Sequence, residues 1–381
     1  MVLVAEDHTH SPRRRVGLRT RFARLAASPG FQRWAAGVPL VRRIAKAEGQ
    51  ELFDIVQGFV ASQVLFAIVE LRILHRVMDG PLSADQLAQG TGIAPERMTR
   101  LVQAGAALGL LRRTGNAFSI TRKGAALTGV PGLEQMIRHH DVLYRDLADP
   151  VAFLRSETET ELAGFWPYVF GASGAVDPKV TSVYSDLMAQ SQGLVAQDTL
   201  RSVSLRGLAK MADIGGGSGA FAEAAAAAAP SLEVTLYDLP KVIDAAGRRL
   251  EGSPHGGRIV LAPGSFRDDP LPSGMDAMSL IRVLYDHEDT TVRALLAKVF
   301  KSLPPGGRVI VSEPMSGGVI PDKAGDVYFA FYCMAMRTGT VRSQARIAEL
   351  LKEAGFGSVR TPRSSRPFVT SVVEASVPVT S

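Results

Sequence analysis

The sequence of 381 residues has only one cysteine, two tryptophans and seven histidines. A single cysteine, Cys333, excludes an intrachain disulfide framework and fits a reducing cytoplasm. It lies in the aromatic-rich stretch 328–334, which predicts a buried, unreactive thiol rather than a nucleophile. His and Cys residues nowhere have the spacing of a zinc site. These shortages exclude disulfide-stapled and zinc-finger proteins and predict no bound metal.

Targeting and membrane segments are also lacking by sequence criteria. The N-terminus has no apolar segment after a basic start, so no signal peptide is expected. The most apolar helix candidate, 59–74, is interrupted by Gln63, Glu70 and Arg72, which argues against a bilayer span. With 46% hydrophobic and 21% charged residues, the chain is predicted to be globular, with two domains and extensions.

Acidic residues are scarce at the N-terminal end. Residues 1–50 contain ten Lys and Arg against three Asp and Glu, a surplus of +7, while the whole chain carries +6. The basic excess therefore belongs to an N-terminal arm, predicted as 1–49. Such an arm indicates contact with an anionic surface, either membrane or nucleic acid, and a solvated tail is the alternative.

Aromatic and basic residues interleave in this arm. Phe22, Phe31 and Trp34 fit short amphipathic helices separated at Pro29 and Pro39. A helix of this kind is typical of a membrane surface. Docking against a partner subunit or the body of the protein explains the pattern equally well.

Residues 50–130 predict a helical domain with a β-hairpin. A long apolar helix (50–78) precedes two shorter helices, the second running to Leu108, and a hairpin with its turn at Gly115-Asn116. This order is typical of a winged helix. A DNA-binding regulator is therefore one hypothesis, with Arg97, Arg100 and Gln103 as the side chains able to read bases. Because the rest of the second helix is apolar, we expect it to be buried between the subunits of a homodimer, and we expect no nucleic-acid partner.

The remainder of the chain predicts a connector and an α/β domain. Residues 131–203 read as helices that form a substrate-pocket wall, with bulk from Trp166, Tyr168, Phe170 and Met188. In residues 204–376 strands alternate with helices and end in an antiparallel pair. That alternation predicts a mostly parallel, Rossmann-like doubly wound sheet.

One βαβ unit of this sheet carries a ligand-binding pattern. A strand ending at Ile214 enters the glycine turn 215–219, and the next strand ends at Asp238, which is placed to accept both hydroxyls of a ribose. Gly215-x-Gly217-x-x-Ala220 also fits the dinucleotide fingerprint, so a nicotinamide oxidoreductase remains an alternative. Asp213 precedes the turn, and the pattern Asp-x-Gly-x-Gly-x-Gly resembles motif I of S-adenosylmethionine (SAM) methyltransferases. Asp-Leu-Pro at 238–240 resembles their second motif.

The domain order extends this resemblance over residues 50–375. The chain resembles the small-molecule O-methyltransferases typified by plant caffeate and animal hydroxyindole enzymes. A narrower similarity, to the carotenoid O-methyltransferases of purple phototrophic bacteria, is carried by five stretches: Phe31-Gln32-Arg33-Trp34, His139-His140-Asp141 with 146–150, Arg282-Val283-Leu284-Tyr285-Asp286-His287, 312–318 and Arg366-Pro367-Phe368-Val369-Thr370.

This resemblance implies the reaction. It implies SAM-dependent methylation of the C-1 hydroxyl of an acyclic hydroxycarotenoid, of the demethylspheroidene or hydroxyneurosporene type. Another phenolic or polyketide metabolite is the alternative substrate. A cytoplasmic homodimer is implied, and peripheral contact with the inner or intracytoplasmic membrane is a further expectation.

The resemblance also assigns the cofactor site. Gly215 and Gly217 fall under the methionine moiety of SAM, and Asp238 falls on the ribose. The complete set of expected cofactor-binding residues is Asp213, Gly215, Gly217, Asp238, Leu239, Gly264, Ser265, Phe266 and Arg282. Since Ser265 replaces an acid of the family, its adenine contact must differ or be lost.

The catalytic positions depart from the family pattern. Tyr285 stands where the family has a histidine base, Glu313 keeps the first of two glutamates, and Val341 replaces the second. A tertiary alcohol is less acidic than a phenol, so we expect alignment and desolvation to dominate, with His287, Tyr285 or Glu313 accepting the proton as the bond forms. His139 and His140 are weaker candidates. As neighbours on a helix they should face different sides, one of them toward solvent.

Overall fold

The computed structural model describes residues 18–165 and 191–379. The chain divides into two compact units after Ile68. The first 17 residues of the predicted arm lie outside the described residues, as do the pocket-wall residues Trp166, Tyr168, Phe170 and Met188. The four predicted segments, bounded at residues 49, 130 and 203, stay predictions.

The first unit is helical and begins with the predicted short helices. These are α1 (Leu18–Ala26) and α2 (Pro29–Gly37), followed by α3 (Pro39–Glu70). The separations predicted at Pro29 and Pro39 are confirmed, because each proline occupies the first position of a helix, where its missing N–H costs nothing. Ser28 caps α2 by accepting a hydrogen bond from the Phe31 backbone N–H at 3.3 Å.

Helix α3 corrects two predictions. The helix expected over 50–78 begins at Pro39 and ends at Glu70, because Arg72 adopts a left-handed backbone with φ of 53°. The interruptions that argued against a membrane span also fail as an argument. By length and composition alone, Val41–Glu70 could cross a membrane. Only 11% of its most apolar stretch is buried within the protein.

The second unit opens with short helices and a small sheet. Its elements are α4 (Ile73–Arg76), β1 (Leu82–Ser83), α5 (Ala84–Ala88), α6 (Pro95–Ala107), β2 (Leu111–Thr114) and β3 (Ala117–Ile120). The predicted helix pair and the hairpin at Gly115-Asn116 are confirmed, with Thr114 paired to Ala117. Strand β1 adds an unpredicted third strand beside β3.

Helix α6 buries one face within the chain. Met98 and Val102 are buried in it, whereas the three residues proposed to read DNA bases, Arg97, Arg100 and Gln103, are exposed. DNA binding by this helix therefore stays an untested alternative, and burial of the helix between subunits stays a prediction.

Helices fill the segment before the large sheet. They are α7 (Arg122–Gly129), α8 (Leu133–Asp146), α9 (Pro150–Leu154) and the helical residues 191–202 (α10). Helix α8 confirms the helical character predicted for the first part of residues 131–203. After α9 the structure describes a short 3-10 turn, Leu162–Phe165.

A seven-stranded sheet forms the body of the second unit and confirms the predicted fold class. Its strands are β4 (Lys210–Ile214), β5 (Glu233–Asp238), β6 (Ile259–Pro263), β7 (Ala277–Ile281), β8 (Arg308–Glu313), β9 (Gly357–Arg360) and β10 (Ser371–Ser376). They lie in the order β6-β5-β4-β7-β8-β10-β9. Strands β4 to β8 are parallel, and β10 is antiparallel to both β8 and β9. Strand order reverses between β4 and β7, which is where such sheets bind ligands at their carboxyl edge.

Helices flank this sheet as predicted, with two additions. The predicted helices are α11 (Ala220–Ala228), α12 (Pro240–Leu250), α13 (Asp289–Ser302) and α15 (Gln344–Glu353). Two elements that the sequence analysis missed are a π-helical turn, Ala324–Phe329, and α14 (Ala330–Met336). Cys333 lies on α14 and is buried, as predicted.

Candidate functional site

The glycine turn after β4 leaves open space at Gly217. Gly215 and Gly217 have φ of 66° and 58°, a backbone conformation that glycine adopts without strain. A Cβ added at Gly217 would meet no atom within 4 Å. Gly219 then begins α11, whose amide groups point their positive end toward the turn. This cradle fits a ligand whose atoms lie against bare backbone, as SAM would require.

Asp238 ties the end of β5 to this turn. One carboxylate oxygen accepts a hydrogen bond from the Gly217 backbone N–H at 2.8 Å, and the other accepts one from Leu239 at 2.7 Å. Burial raises the pKa of this carboxyl group, and the two backbone donors oppose that change. Each oxygen keeps a lone pair for a further donor, so the carboxylate suits a ribose diol.

Asp213 lies against the turn. Its Oδ1 accepts a hydrogen bond from the Ser279 hydroxyl at 2.7 Å, while Oδ2 has no partner among the described residues. Burial raises the pKa of Asp213 to about 7. A Cβ at Gly216 would lie 2.5 Å from Oδ2. Asp213 thus packs against the turn, and contact with a cofactor stays a prediction.

Gly264, Ser265 and Phe266, which are expected to lie near the adenine of the cofactor, follow strand β6 beside the glycine turn. The Gly264 N–H donates to the Asp238 carbonyl at 2.9 Å, and a side chain at Gly264 would collide with Tyr237. The Phe266 ring reaches toward Gly215. A Cβ added at Gly215 would lie 4.0 Å from that ring. Ser265, by contrast, donates its hydroxyl to Asp268 at 2.9 Å. The structure brings Gly264 and Phe266 together with the glycine turn, while the Ser265 hydroxyl is used within its own loop.

Arg282 follows β7 directly and holds the next turn. Its φ of 58° is unusual for a side chain of this size, and its backbone N–H donates to the Ser312 carbonyl of β8 at 2.8 Å. The guanidinium donates to the Ser191 hydroxyl at 3.0 Å and to the Tyr285 hydroxyl at 3.3 Å. Arg282 therefore joins α10, β7 and the turn that carries the candidate catalytic residues.

Tyr285 is fully buried beneath this guanidinium. The Arg282 carbon Cζ lies 5.9 Å from the centre of the Tyr285 ring. Burial raises the pKa of the phenol far above its usual value. At neutral pH the phenol therefore keeps its proton and cannot replace a histidine base by ionising.

Glu313 supports the same turn from the end of β8. Its Oε2 accepts a hydrogen bond from the Tyr285 backbone N–H at 3.1 Å. Burial raises the pKa of Glu313 to about 8, so the group is mostly protonated at neutral pH. Its position at 0% exposure suits a structural acid more than a proton acceptor.

His287 lies at the end of the turn, beside Phe266 and Arg267. Its ring packs edge-on against Phe266 at 5.3 Å, and Arg267 contacts Nδ1 at 3.2 Å. Burial, together with the charges of Arg267 and Arg342, lowers the pKa of His287 to about 4. The imidazole is therefore neutral, but two cations oppose its gaining a proton.

Arg342 is a residue that the sequence analysis missed. It is buried and donates to the carbonyl groups of Leu284 at 2.9 Å and His287 at 2.8 Å. It also forms an ion pair with Asp289. The sequence analysis noted its neighbour Val341 only because that valine stands where the family has a second glutamate. No local pattern distinguishes an arginine that clamps a distant turn from one on the surface.

The histidine pair on α8 corrects another prediction. Both rings are half-buried and each contacts a tyrosine. His139 is hydrogen-bonded to the Tyr332 hydroxyl at 3.0 Å, and His140 is hydrogen-bonded to the Tyr328 hydroxyl at 2.7 Å. Burial lowers the pKa of both, that of His139 to about 4. Although neighbours on a helix diverge, Tyr328 and Tyr332 are spaced to meet both rings.

Family models match most of the second unit and the end of the first. Residues 144–357 match an O-methyltransferase domain. Residues 53–128 match an O-methyltransferase dimerisation domain.

Individual proteins match over nearly the whole chain. Demethylspheroidene O-methyltransferase of Cereibacter sphaeroides is 57% identical over 94% of this chain and 95% of its own. The Rhodobacter capsulatus protein of that name is 52% identical over 93% and 88%. Human N-acetylserotonin methyltransferase in complex with SAM shares the fold, with a TM-score of 0.72 at 23% identity over 87% and 98%.

Proposed function

Since the chain belongs to the O-methyltransferase family, we propose that it methylates the C-1 hydroxyl of an acyclic hydroxycarotenoid, with SAM as the methyl donor. The observation that carries this proposal is 57% identity over 94% of the chain to a demethylspheroidene O-methyltransferase. The oxygen–carbon bond forms as the sulfur–carbon bond breaks, giving a methyl ether, S-adenosylhomocysteine and one proton. A nicotinamide cofactor is not favoured, because the family uses a sulfonium methyl donor.

The glycine turn and Asp238 would hold the cofactor. Gly215 and Gly217 offer bare backbone, Asp238 offers carboxylate oxygens, and Phe266 offers an apolar face beside Gly215. When bound, SAM supplies an activated methyl group, so the protein needs to bring no electrophile of its own. Its residues instead align the acceptor oxygen and exclude water.

The buried turn 284–287 supports alignment rather than strong base catalysis. Tyr285 keeps its proton, Glu313 is protonated near neutral pH, and His287 faces two arginines. We therefore propose that these three side chains, with Arg282, fix the shape of the acceptor side of the crevice. Removal of the Tyr285 hydroxyl or of the His287 ring should weaken turnover without a collapse of cofactor binding.

The active form is a homodimer, in keeping with the dimerisation-domain match. Helix α3 carries a cluster of large apolar side chains that are 48–73% exposed: Leu52, Phe53, Ile55, Val56, Phe59 and Val60. Apolar surface of this extent on one helix marks an interaction site. We assign it to a second copy of the chain, because the dimerisation match begins at residue 53.

The N-terminal arm supports a proposal about where in the cell the enzyme acts. We propose a cytoplasmic enzyme that touches an anionic membrane through α1 and α2, since a long polyene dissolves in lipid. Trp34 is 55% and Leu25 50% exposed beside Arg21, Arg24 and Arg33. Such a mixture suits the interface between water and lipid.

One incubation tests the substrate class. The purified protein is given methyl-labelled SAM with a 1-hydroxy acyclic carotenoid in one reaction and a simple phenol in another. We expect label in a carotenoid methyl ether, identified by mass, and little in the phenol. Label in the phenol alone would instead support the alternative, methylation of another small hydroxylated metabolite.

A further inference from the structure

Exposed cations are concentrated in residues 95–123 and have no acidic partners. This segment contains six basic residues against one acid, Glu96. The basic residues are all exposed, and they are Arg97, Arg100, Arg112, Arg113, Arg122 and Lys123. In the parts of the chain that the structure describes, none of the six forms an ion pair with a carboxylate group. By contrast, Arg145, Arg249 and Arg366 each pair with an acid.

Neutral groups hold two of these cations in place. The Arg113 guanidinium donates to the Gly115 carbonyl and to the Gln103 side-chain oxygen, each at 2.9 Å. The Lys123 ammonium donates to the Leu108 carbonyl at 2.9 Å. A neutral acceptor orients a cation without cancelling its charge. These side chains are therefore fixed in position while their positive charge stays uncompensated.

Three of the arginines share one surface of α6 and β2. Arg97, Arg100 and Gln103 recur at three-residue intervals, so they form a stripe along one side of α6. Arg113 on β2 joins the end of this stripe through its bond to Gln103. The other side of α6 is buried and carries Met98. We call the surface formed by Arg97, Arg100 and Arg113 the cationic face.

A second copy of the chain does not suit the cationic face. Across a two-fold axis a surface meets itself, so its charges would repel those of its copy. Among the described residues, the large hydrophobic side chains that are exposed all lie outside residues 95–123. The apolar surface assigned to the homodimer lies instead on α3. The cationic face is therefore left for an anionic partner.

A lipid surface suits the cationic face better than a nucleic acid does. Base readout needs free Arg, Asn or Gln side chains, whereas the Gln103 oxygen already accepts a hydrogen bond from Arg113. Glu96 lies in the first turn of α6, where its negative charge would oppose approach to phosphates in a groove. Lipid headgroups require only positive charge at a surface, and the proposed substrate is a polyene that dissolves in lipid.

We propose that the cationic face docks the second unit on an anionic lipid surface. This inference rests on the proposed function, because the substrate would be drawn from that lipid. The contact is additional to the one proposed for α1 and α2, which belong to the first unit. Since residues 95–123 expose no large hydrophobic side chain, the attraction is electrostatic and falls with salt.

Charge-matched variants of the full-length protein test this contact. The face variant combines three substitutions: Arg97→Gln, Arg100→Gln and Arg113→Gln. The control variant removes the same charge at exposed arginines within residues 204–376, which also form no ion pair in the described parts of the chain. Its substitutions are Arg206→Gln, Arg248→Gln and Arg363→Gln. A double variant without the Arg113 substitution keeps the bond to Gln103, and melting temperatures show that all three variants fold.

Co-sedimentation with vesicles measures the contact without substrate. The anionic vesicles contain phosphatidylglycerol and phosphatidylcholine, and the neutral ones contain phosphatidylcholine alone. Each cation near an anionic surface should strengthen binding roughly fivefold. At low salt the face variant should therefore bind anionic vesicles about a hundredfold more weakly than the wild type, and the double variant about thirtyfold more weakly. The control variant should stay within about threefold, and neutral vesicles should not distinguish the proteins.

Two results of this measurement overturn the proposal. One is equal weakening in the face and control variants, which would mean that only net charge matters. The other is unchanged binding of the face variant to anionic vesicles. Mixed-sequence duplex DNA is included as a second anionic probe. If the face variant lost binding to the duplex and kept binding to the vesicles, the face would recognise nucleic acid and not lipid.

Turnover distinguishes this inference from the proposed function. With the hydroxycarotenoid dissolved in a neutral detergent, the face variant should keep the kcat and KM of the wild type. With the carotenoid in anionic vesicles, its KM should rise while kcat is kept. A lower kcat in detergent would contradict a docking role. Absence of wild-type turnover in both media would contradict the proposed function alone, because vesicle binding is measured without substrate.

Discussion

The Gly217 N–H donates to a carboxylate oxygen of Asp238 at 2.8 Å, although 21 residues separate them. This bond joins the glycine turn after β4 to the end of the neighbouring strand β5. The side chain expected to bind the ribose therefore also fixes the turn expected to hold the methionine moiety. A change at either position should be felt at both ends of the cofactor.

Replacing Asp238 tests the cofactor assignment. Asp238→Ala should weaken SAM binding by about 2 kcal/mol, since charge-assisted hydrogen bonds of about that size are lost. Titration calorimetry should show an increase of about thirtyfold in Kd. Asp238→Asn keeps the shape and one acceptor, so its loss should be smaller. Unchanged SAM affinity in Asp238→Ala would remove this residue from the site.

A side chain at Gly217 should block the cradle. Gly217→Val places a side chain where the structure has open space, and we expect no measurable SAM binding. The φ of 58° also strains valine, so a control is required. Gly274→Val has a similar φ of 74° and equally open surroundings outside the crevice. If both variants bound SAM equally well, the turn would be only structural.

The catalytic roles of Tyr285 and His287 can be measured directly. Because alignment is expected to dominate, Tyr285→Phe and His287→Ala should each lower kcat by less than about a hundredfold. SAM affinity serves as the control for the integrity of the site. A loss of about four decades in either variant would identify a dedicated base and contradict alignment as the main effect.

Glu313 predicts a pH dependence of stability. Burial raises its pKa on folding from the ordinary 4.5 to about 8, so the folded state binds the proton more tightly than the unfolded state. This contribution is fully present below the unfolded pKa and is lost as pH rises toward 8. Asp213 and Asp286 titrate near 7, which leaves the range from about pH 7 to 9 mainly to Glu313.

Melting temperatures across that pH range provide the measurement. The wild type should become less stable as pH rises, whereas Glu313→Gln should show a clearly flatter dependence. The glutamine keeps an oxygen to accept the Tyr285 N–H bond. A slope identical in both proteins would show that Glu313 is not the group responsible.

The basic arm should bind membranes reversibly. Each arginine near an anionic leaflet contributes roughly 1 kcal/mol, and the contribution falls with salt. Full-length protein should co-sediment with anionic vesicles at low salt and be released at high salt. Deleting residues 1–30 should reduce this binding and the turnover of membrane-embedded carotenoid, while SAM affinity is kept. Equal pelleting of both forms would indicate a solvated tail or a dimer contact instead.

The sequence by itself determined the sheet and the glycine turn. Strands β7 and β8 lie in the segment 204–376 that was predicted to alternate strands with helices, because alternation of apolar runs with helical periods is a local property. The glycines at 215–219 and the acid at 238 were readable for a related reason. A run of glycines and an acid at a strand end are each visible within a few neighbouring residues, and their contact with a cofactor stays a prediction.

Only the tertiary structure decided which side chains of the acceptor side meet. Arg342 reaches the turn at Leu284 and His287, and Tyr328 reaches His140 across 188 residues. The π-helical turn that carries Tyr328 has no signature in its own sequence. Its pairing with α8 depends on how two helices pack beside the sheet. Long-range packing sets burial, burial sets each pKa, and those pKa values decide which group can take a proton.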